Sequence, residues 1–380
     1  MEQNNGNEKV FESEIDEITV ENTAEISQNN VPDYQSTQDH VPQPIYYQPQ
    51  SNNYAPNYYC YAQPIDPYTL KKRQFKSSAN KIMLGPMLYF VLSSVLQIIF
   101  SICMVFVPRE MQRSTTFLLC VSQIVTLISV IVPFVISAVA GKHKVFGLMS
   151  FRKFDLKIGI PLILTGCGVC VIANYLSGLF SVFLNVFGIE SKMPDLTYDK
   201  TPLGILIYML CISVFPALME EFAVRGILMG TLRKHCSDAI AITISSLVFG
   251  LMHGNLVQLP FAFIMGVYLG FLAVRTNSLW PSIIIHFINN AMSGVIELFR
   301  DALSPEMYTL LYFSYAIVFV VLGIIGFALY SKNHQTVIEK EEASYEIKDK
   351  TAFGWFFSSA LSIIFLIIVA IEIITVQLTV

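Results

Sequence analysis

Met219-Glu220-Glu221-Phe222-Ala223-Val224-Arg225 sets two adjacent carboxylates and one guanidinium inside apolar sequence. Leu203 to Met219 carries no charge, Gly226 to Leu232 carries none either, and the next cations are Arg233 and Lys234. Read as one helix, the stretch is about 45 Å long at ~1.5 Å per residue, with the glutamates near mid-span. Ionisable groups at that depth are expensive unless they face protein or a water-filled cavity, and there they mark function. Two carboxylates with a single arginine leave one charge unmatched, which a purely structural ion pair would avoid. The stretch predicts a membrane-spanning helix that carries a working polar site.

Composition agrees. The 380 residues are 54% hydrophobic and only 14% charged, with a mean hydropathy of +0.56, against about 25% charge in soluble domains. The apolar residues fall in blocks of roughly twenty, the length that crosses a bilayer. The expected fold class is all-α, a polytopic membrane helical bundle. A formal net charge of −4 points to no nucleic-acid partner. Residues 1–30 lack the basic–apolar–small order of a signal peptide, so the first apolar helix is expected to direct insertion itself. The seven cysteines lie mostly inside expected spans and read as packing residues, Cys167-x-x-Cys170 included.

Residues 1–70 are rich in Asn, Gln, Tyr, Pro and acid, with Lys9 the single cation, and read as a disordered cytoplasmic tail that could dock a partner. Residues 71–81 reverse the sign and suit a basic juxtamembrane segment against anionic lipid. A core over 82–330 follows, then a charged linker, 331–352, and a C-terminal segment, 353–380. Spans are expected at 82–107, 115–140, 158–187, 203–233, 238–255, 258–275, 279–298 and 309–330, a core of eight, with a ninth, added helix at 353–378. With the N-terminus cytoplasmic, seventeen cations fall on the inner loops and five (Arg109, Arg113, Lys192, Lys200, Arg300) on the outer ones. That places the C-terminus outside a cell membrane. Gly226/Gly230, Gly250/Gly254 and Gly266/Gly270, each at four-residue spacing, would let helix backbones approach closely.

Three further polar positions lie in apolar surroundings at similar depth. His253 closes Phe249-Gly-Leu-Met-His253, and His286 and Asn290 lie one turn apart on a single face. Glu221 and Arg225 share the i, i+4 spacing and can pair, while Glu220 is rotated by about 100° and can face elsewhere. Counted from the flanking charges, Glu220 and His253 lie about 21–23 Å deep and His286 roughly 16 Å. Two imidazoles, a carboxylate and a carboxamide brought together by three helices suit activation of water and stabilisation of an oxyanion.

Glu220-Glu221-x-x-x-Arg225, Phe249-x-x-x-His253 and His286-x-x-x-Asn290 resemble, in order and spacing, the three signatures of the CPBP family, the CAAX-prenyl-protease-type and bacteriocin-processing intramembrane proteases also called Abi. The resemblance covers about residues 82–330. It implies a conical cavity open to cytosol and lipid, with Glu220 as general base and His253 assisting. It further implies His286 and Asn290 at the oxyanion, and Glu221, Arg225 and Phe249 bracing the site. An older reading of the family makes Glu220, His253 and His286 zinc ligands, and one carboxylate with two imidazoles is an acceptable zinc set. A metal-free site needs no cofactor. Both mechanisms stand open at this stage.

The functional expectation is an intramembrane endopeptidase in a bacterial plasma membrane, acting on a peptide or membrane-protein substrate. The alternative is a non-catalytic scaffold or self-immunity protein that keeps the fold, with residues 1–70 docking a cytoplasmic partner. A proton-coupled transporter would also use such groups, but no internal repeat is visible.

Overall fold

The computed structural model describes residues 66–189, 197–333 and 348–378, and all regular structure among them is helical. The expected tail lies outside these residues up to position 65, and so does most of the linker, 334–347.

Helix α1, Pro67–Met104, starts on an Asp66-Pro67 signal. The Asp66 carboxylate accepts from the Thr69 backbone N–H at 3.0 Å, and Pro67 sits where its missing N–H has no helical partner to lose. Thirty-eight residues make a rod of roughly 57 Å, well beyond the ~30 Å hydrocarbon core. The basic strip 71–81, expected as a separate segment, is therefore part of this helix, because nothing interrupts it between the cap and residue 82. Residues 67–70, assigned to the tail, are helical too.

Helices α2 (Thr115–Ala140) and α3 (Leu156–Val186) lie where apolar periodicity puts them. Helix α4, Pro202–Leu232, is continuous but not uniformly wound. Leu210–Val214 and Glu221–Met229 take wide, π-type turns. Pro216 lacks an N–H and crowds the preceding turn, which accounts for the first of these. The second begins at Glu221 itself. Helices α5 (Asp238–Met252), α6 (Gln258–Thr276), α7 (Trp280–Leu298) and α8 (Pro305–Asn333) follow.

The expected ninth span is two helices, α9 (Asp349–Phe357) and α10 (Ala360–Leu378), bent by 64° to one another. The break is held by α1: Lys76 Nζ donates to the Ser358 carbonyl at 2.8 Å, and the Leu361 N–H donates to Asn80 Oδ1 at 3.0 Å. Among the described residues, six helices are long and apolar enough to cross a membrane, or seven with the bent pair. The expected eight-plus-one is not met on those grounds. Helix α5 has only 15 residues, and α7 carries His286, Asn289, Asn290, Ser293 and Glu297.

The side chains form two hydrophobic clusters. One joins α1, α2, α4, α5, α9 and α10 through residues such as Met83, Phe134, Val224, Val248, Phe356 and Phe365. The other joins α3, α6, α7 and α8 through Leu162, Cys170, Leu269, Ile285 and Phe319. The C-terminal helices therefore share the core of the first cluster and are not an appendage. Loops gather at two ends. At one end, Ser150 Oγ donates to the Asn277 carbonyl, Ser278 Oγ to the Arg152 carbonyl, and Lys234 Nζ meets His143 Nδ1 at 3.3 Å. At the other, Asp199 accepts from Thr115 and Thr116, and Lys200 pairs with Asp301 at 3.2 Å.

Of the expected glycine contacts, Gly266 and Gly250 do seat α5 against α6, but Gly226 and Gly230 meet the 148–149 loop and Gly254 is not helical. Another close backbone approach lies elsewhere: a Cβ on Gly323 of α8 would lie 2.6 Å from Gly168 Cα of α3. Gly323→Leu is expected to lower stability by about 1–3 kcal/mol through this overpacking. Gly178→Leu, whose Cβ would meet nothing within 4 Å, serves as the control in thermal melts in detergent.

Loop histidines give a pH dependence. Burial first, then His143 and Lys234, hold His235 below its usual 6.5, and burial with Lys234 and Lys81 does the same to His143. The unfolded chain takes up these protons more readily, so stability is full above pH 6.5 and is lost as pH falls through the depressed folded values. The thermal midpoint should fall on acidification below 6.5, and the slope should flatten in a His143→Gln, His235→Gln double variant.

Candidate active site

The two neighbouring carboxylates of α4 end up in different environments. Glu221 is fully buried and Arg225, at 1% side-chain exposure, donates Nη1 to Glu221 Oε1 at 2.8 Å. Arg225 Nη2 reaches the Gly266 carbonyl at 3.2 Å, and its guanidinium lies 4.4 Å over the Phe249 ring. One pair thus ties α4 to α5 and α6, with Phe249 packed against it. Glu220 has 27% side-chain exposure and lines a cavity of about 550 Å³.

His286 of α7 stands between them. Its Nδ1 is 3.0 Å from Glu221 Oε1 and its Nε2 is 3.6 Å from Glu220 Oε2. A carboxylate only accepts, so Nδ1 carries the hydrogen and Nε2 turns to the cavity. Two carboxylates, one guanidinium and one imidazole able to carry a second positive charge form a set that can balance.

His253 lies one residue past the end of α5 and is exposed. Its Nδ1 meets the Phe249 carbonyl at 2.9 Å, and its ring packs edge-on against Phe249 at 4.9 Å between centroids. The chain turns away at Gly254 through φ +63°, a conformation that suits glycine. His253 therefore sits at a helix terminus, not within a span reaching 255.

Glu220, His253, His286 and Asn290 all line this one cavity, together with Asn289. Asn289 was not anticipated: it is buried and donates Nδ2 to Asn290 Oδ1 at 3.1 Å, leaving the Asn290 NH₂ to donate. Its signal was the amide doublet itself, two carboxamides in an apolar helix. Asn174 of α3 and Gln258 of α6 also line the cavity, and sequence reading passed over them. Along α7 the cavity runs to Glu297 and Arg300, about 16–21 Å from His286 at the helical rise. That polar end is the one the cation count places outside, opposite to the cytosolic opening the resemblance implies.

The zinc reading does not fit. Glu220, His253 and His286 share the cavity wall, but among the described residues no three His, Cys, Asp or Glu side chains gather as ligands of one ion.

Residues 202–292 match the family model described as "Type II CAAX prenyl endopeptidase Rce1-like". The chain is 25% identical over 154 residues to "Putative membrane peptidase YdiL" of Bacillus subtilis, covering 40% of this chain and 62% of that protein. It is 28% identical over 165 residues to "Membrane-embedded CAAX protease MroQ" of Staphylococcus aureus, covering 40% of this chain and 63% of that one. The chain thus spans less than two thirds of the length of these relatives. No solved structure matches it. The matched segment contains α4, α5, α6 and the site-bearing part of α7, so the similarity to the CPBP family, its Rce1-like group included, falls on the helices that carry the site.

Proposed function

We propose that this chain is an intramembrane endopeptidase that hydrolyses a peptide bond with water activated by Glu220. The observation that carries the reading is the division of labour between adjacent carboxylates. Glu221 is buried against Arg225 and His286, whereas Glu220 opens on a cavity with both polar and apolar walls. The printed names of both relatives, a peptidase and a CAAX protease, support the same class.

In this mechanism Glu220 takes a proton from water, and the hydroxide adds to the scissile carbonyl. The oxyanion accepts hydrogen bonds from the Asn290 NH₂ and from Nε2–H of His286 in its charged form. Glu221 and Arg225 hold the His286 ring so that Nε2 points at the reacting carbon. Collapse of the tetrahedral intermediate breaks the C–N bond, and the proton held by Glu220 passes, with His253 assisting, to the leaving amine. No step passes through a metal. The substrate class is a peptide or a membrane-protein segment in extended form, which the length of the cavity along α7 accommodates.

The test is comparative peptidomics of membranes from cells that carry the wild-type chain or Glu220→Gln. Peptides present with the wild type and missing from the variant are expected. Indistinguishable peptidomes, with both proteins inserted at equal level, would overturn the protease reading.

A further inference from the structure

Helix α10 is apolar from Ala360 to Leu378 apart from Ser362, Glu372, Thr375 and Gln377, and Glu372 is its one ionisable residue. Ser362, Phe365 and Val369 are buried, with Phe365 against Phe90 of α1 at 6.0 Å between ring centroids. Glu372 continues that series at helical spacing and so lies on the inward face, the one directed at the core. A carboxylate on the apolar face of a membrane helix is costly, and such groups are kept where they have polar work to do.

What Glu372 reaches is the turn that carries His253. A Cβ on Gly254 would stand 3.2 Å from the Glu372 Cγ, its nearest neighbour, so the Glu372 stem packs on the backbone directly after His253. Gly254, at φ +63°, is buried, while His253 and Glu372 on either side are exposed. Tyr89 of α1 lies within electrostatic reach of both Glu220 and Glu372, two acids far apart in the chain. Helix α10 is outside the matched segment 202–292.

We propose that Glu372 is a positioning residue of the active site: by packing its polar side chain on the 253–254 turn it fixes how His253 enters the cavity. The C-terminal helix thereby contributes to the reaction. The inference rests on the protease reading, and the experiment separates the two. A peptide cleaved in a Glu220-dependent way is synthesised, and the full-length chain is assayed in proteoliposomes as wild type, Glu220→Gln, Glu372→Leu and Glu372→Gln. Glu372→Leu suits the apolar helix and keeps it folded. It is expected to lower kcat ~10-fold or more, since small misplacements of a reacting group have effects of this size. Its KM and thermal midpoint should stay at wild-type values. Glu372→Gln, which keeps hydrogen-bonding capacity, should retain at least about a third of wild-type kcat. Wild-type kcat in Glu372→Leu, a loss matched by a fall in thermal midpoint, or a Gln variant as poor as the Leu variant would each overturn the proposal. A Glu220→Gln protein that still cleaves would overturn the protease reading instead.

Discussion

Arg225→Leu will destabilise the chain by about 3–5 kcal/mol, a large share of the stability of an ordinary domain. The effect does not come from the value of the ion pair, since buried pairs are near neutral against well-packed apolar replacements. It comes from what is left behind. Glu221 is fully buried, and Oε1 is shared between Arg225 and His286. Oε2 has no hydrogen-bond partner at all. Without the guanidinium this carboxylate stays buried with only His286 and the Ser282 hydroxyl beside it. The Gly266 carbonyl loses its side-chain donor, and Phe249 loses the cation on its face. Arg225→Lys should rescue little, because an ammonium cannot serve the carboxylate, the carbonyl and the ring at once. The decisive comparison is the double variant Glu221→Gln, Arg225→Leu. It should be more stable than additivity of the single changes predicts by about 1.5 kcal/mol or more, since it deletes the stranded charge. Strict additivity in denaturant or thermal melts would show that the pair is not coupled.

Several features were legible in the sequence because they are local. The i, i+4 spacing of Glu221 and Arg225 foretold their pairing, and the apolar blocks foretold α2, α3, α4, α6 and α7 to within two residues. What failed was set by partners distant in the chain. The bend between α9 and α10 has no proline at it. Its open backbone groups are satisfied by Lys76 and Asn80, some 280 positions away, and a hydropathy pattern cannot see them. The tail boundary failed for the opposite reason: the Asp66-Pro67 start signal was there to read, but the basic run after it suggested an interruption that helix formation does not require.

The site divides the same way. Depth counting brought Glu220, His253 and His286 to one level, and they do share a cavity. Spacing named Glu221 as the partner of Arg225 but could not say how the pair would be enclosed, because that depends on Gly266 and His286 arriving from α6 and α7. Nor could it give His286 its contact with Glu221 or place Asn289 beside Asn290. Glu372 was visible as a lone acid in an apolar helix, but reading that helix as an addition to the core hid its meaning.

Exchanging the two carboxylates one at a time separates chemistry from architecture. Glu220→Gln in purified protein should lower turnover by about 10³-fold, within the range for loss of a general base. The amide keeps the shape of the side chain, and Glu220 has only the 3.6 Å contact with His286 Nε2 to lose, so the thermal midpoint should hardly move. Glu221→Gln should do the reverse first. It strands the Arg225 charge, at 1% side-chain exposure, and leaves His286 Nδ1 and the guanidinium only a neutral amide oxygen in place of the carboxylate, so stability falls by about 3 kcal/mol. Turnover also declines, because the imidazole is held less firmly towards Glu220. The ratio of the two effects carries the argument. If Glu220→Gln lost stability as heavily as Glu221→Gln while keeping turnover within tenfold of wild type, the doublet would be a structural brace. Water would then have to be activated elsewhere in the cavity. If turnover collapses in a protein that melts at the wild-type temperature, the free carboxylate of the pair is the base.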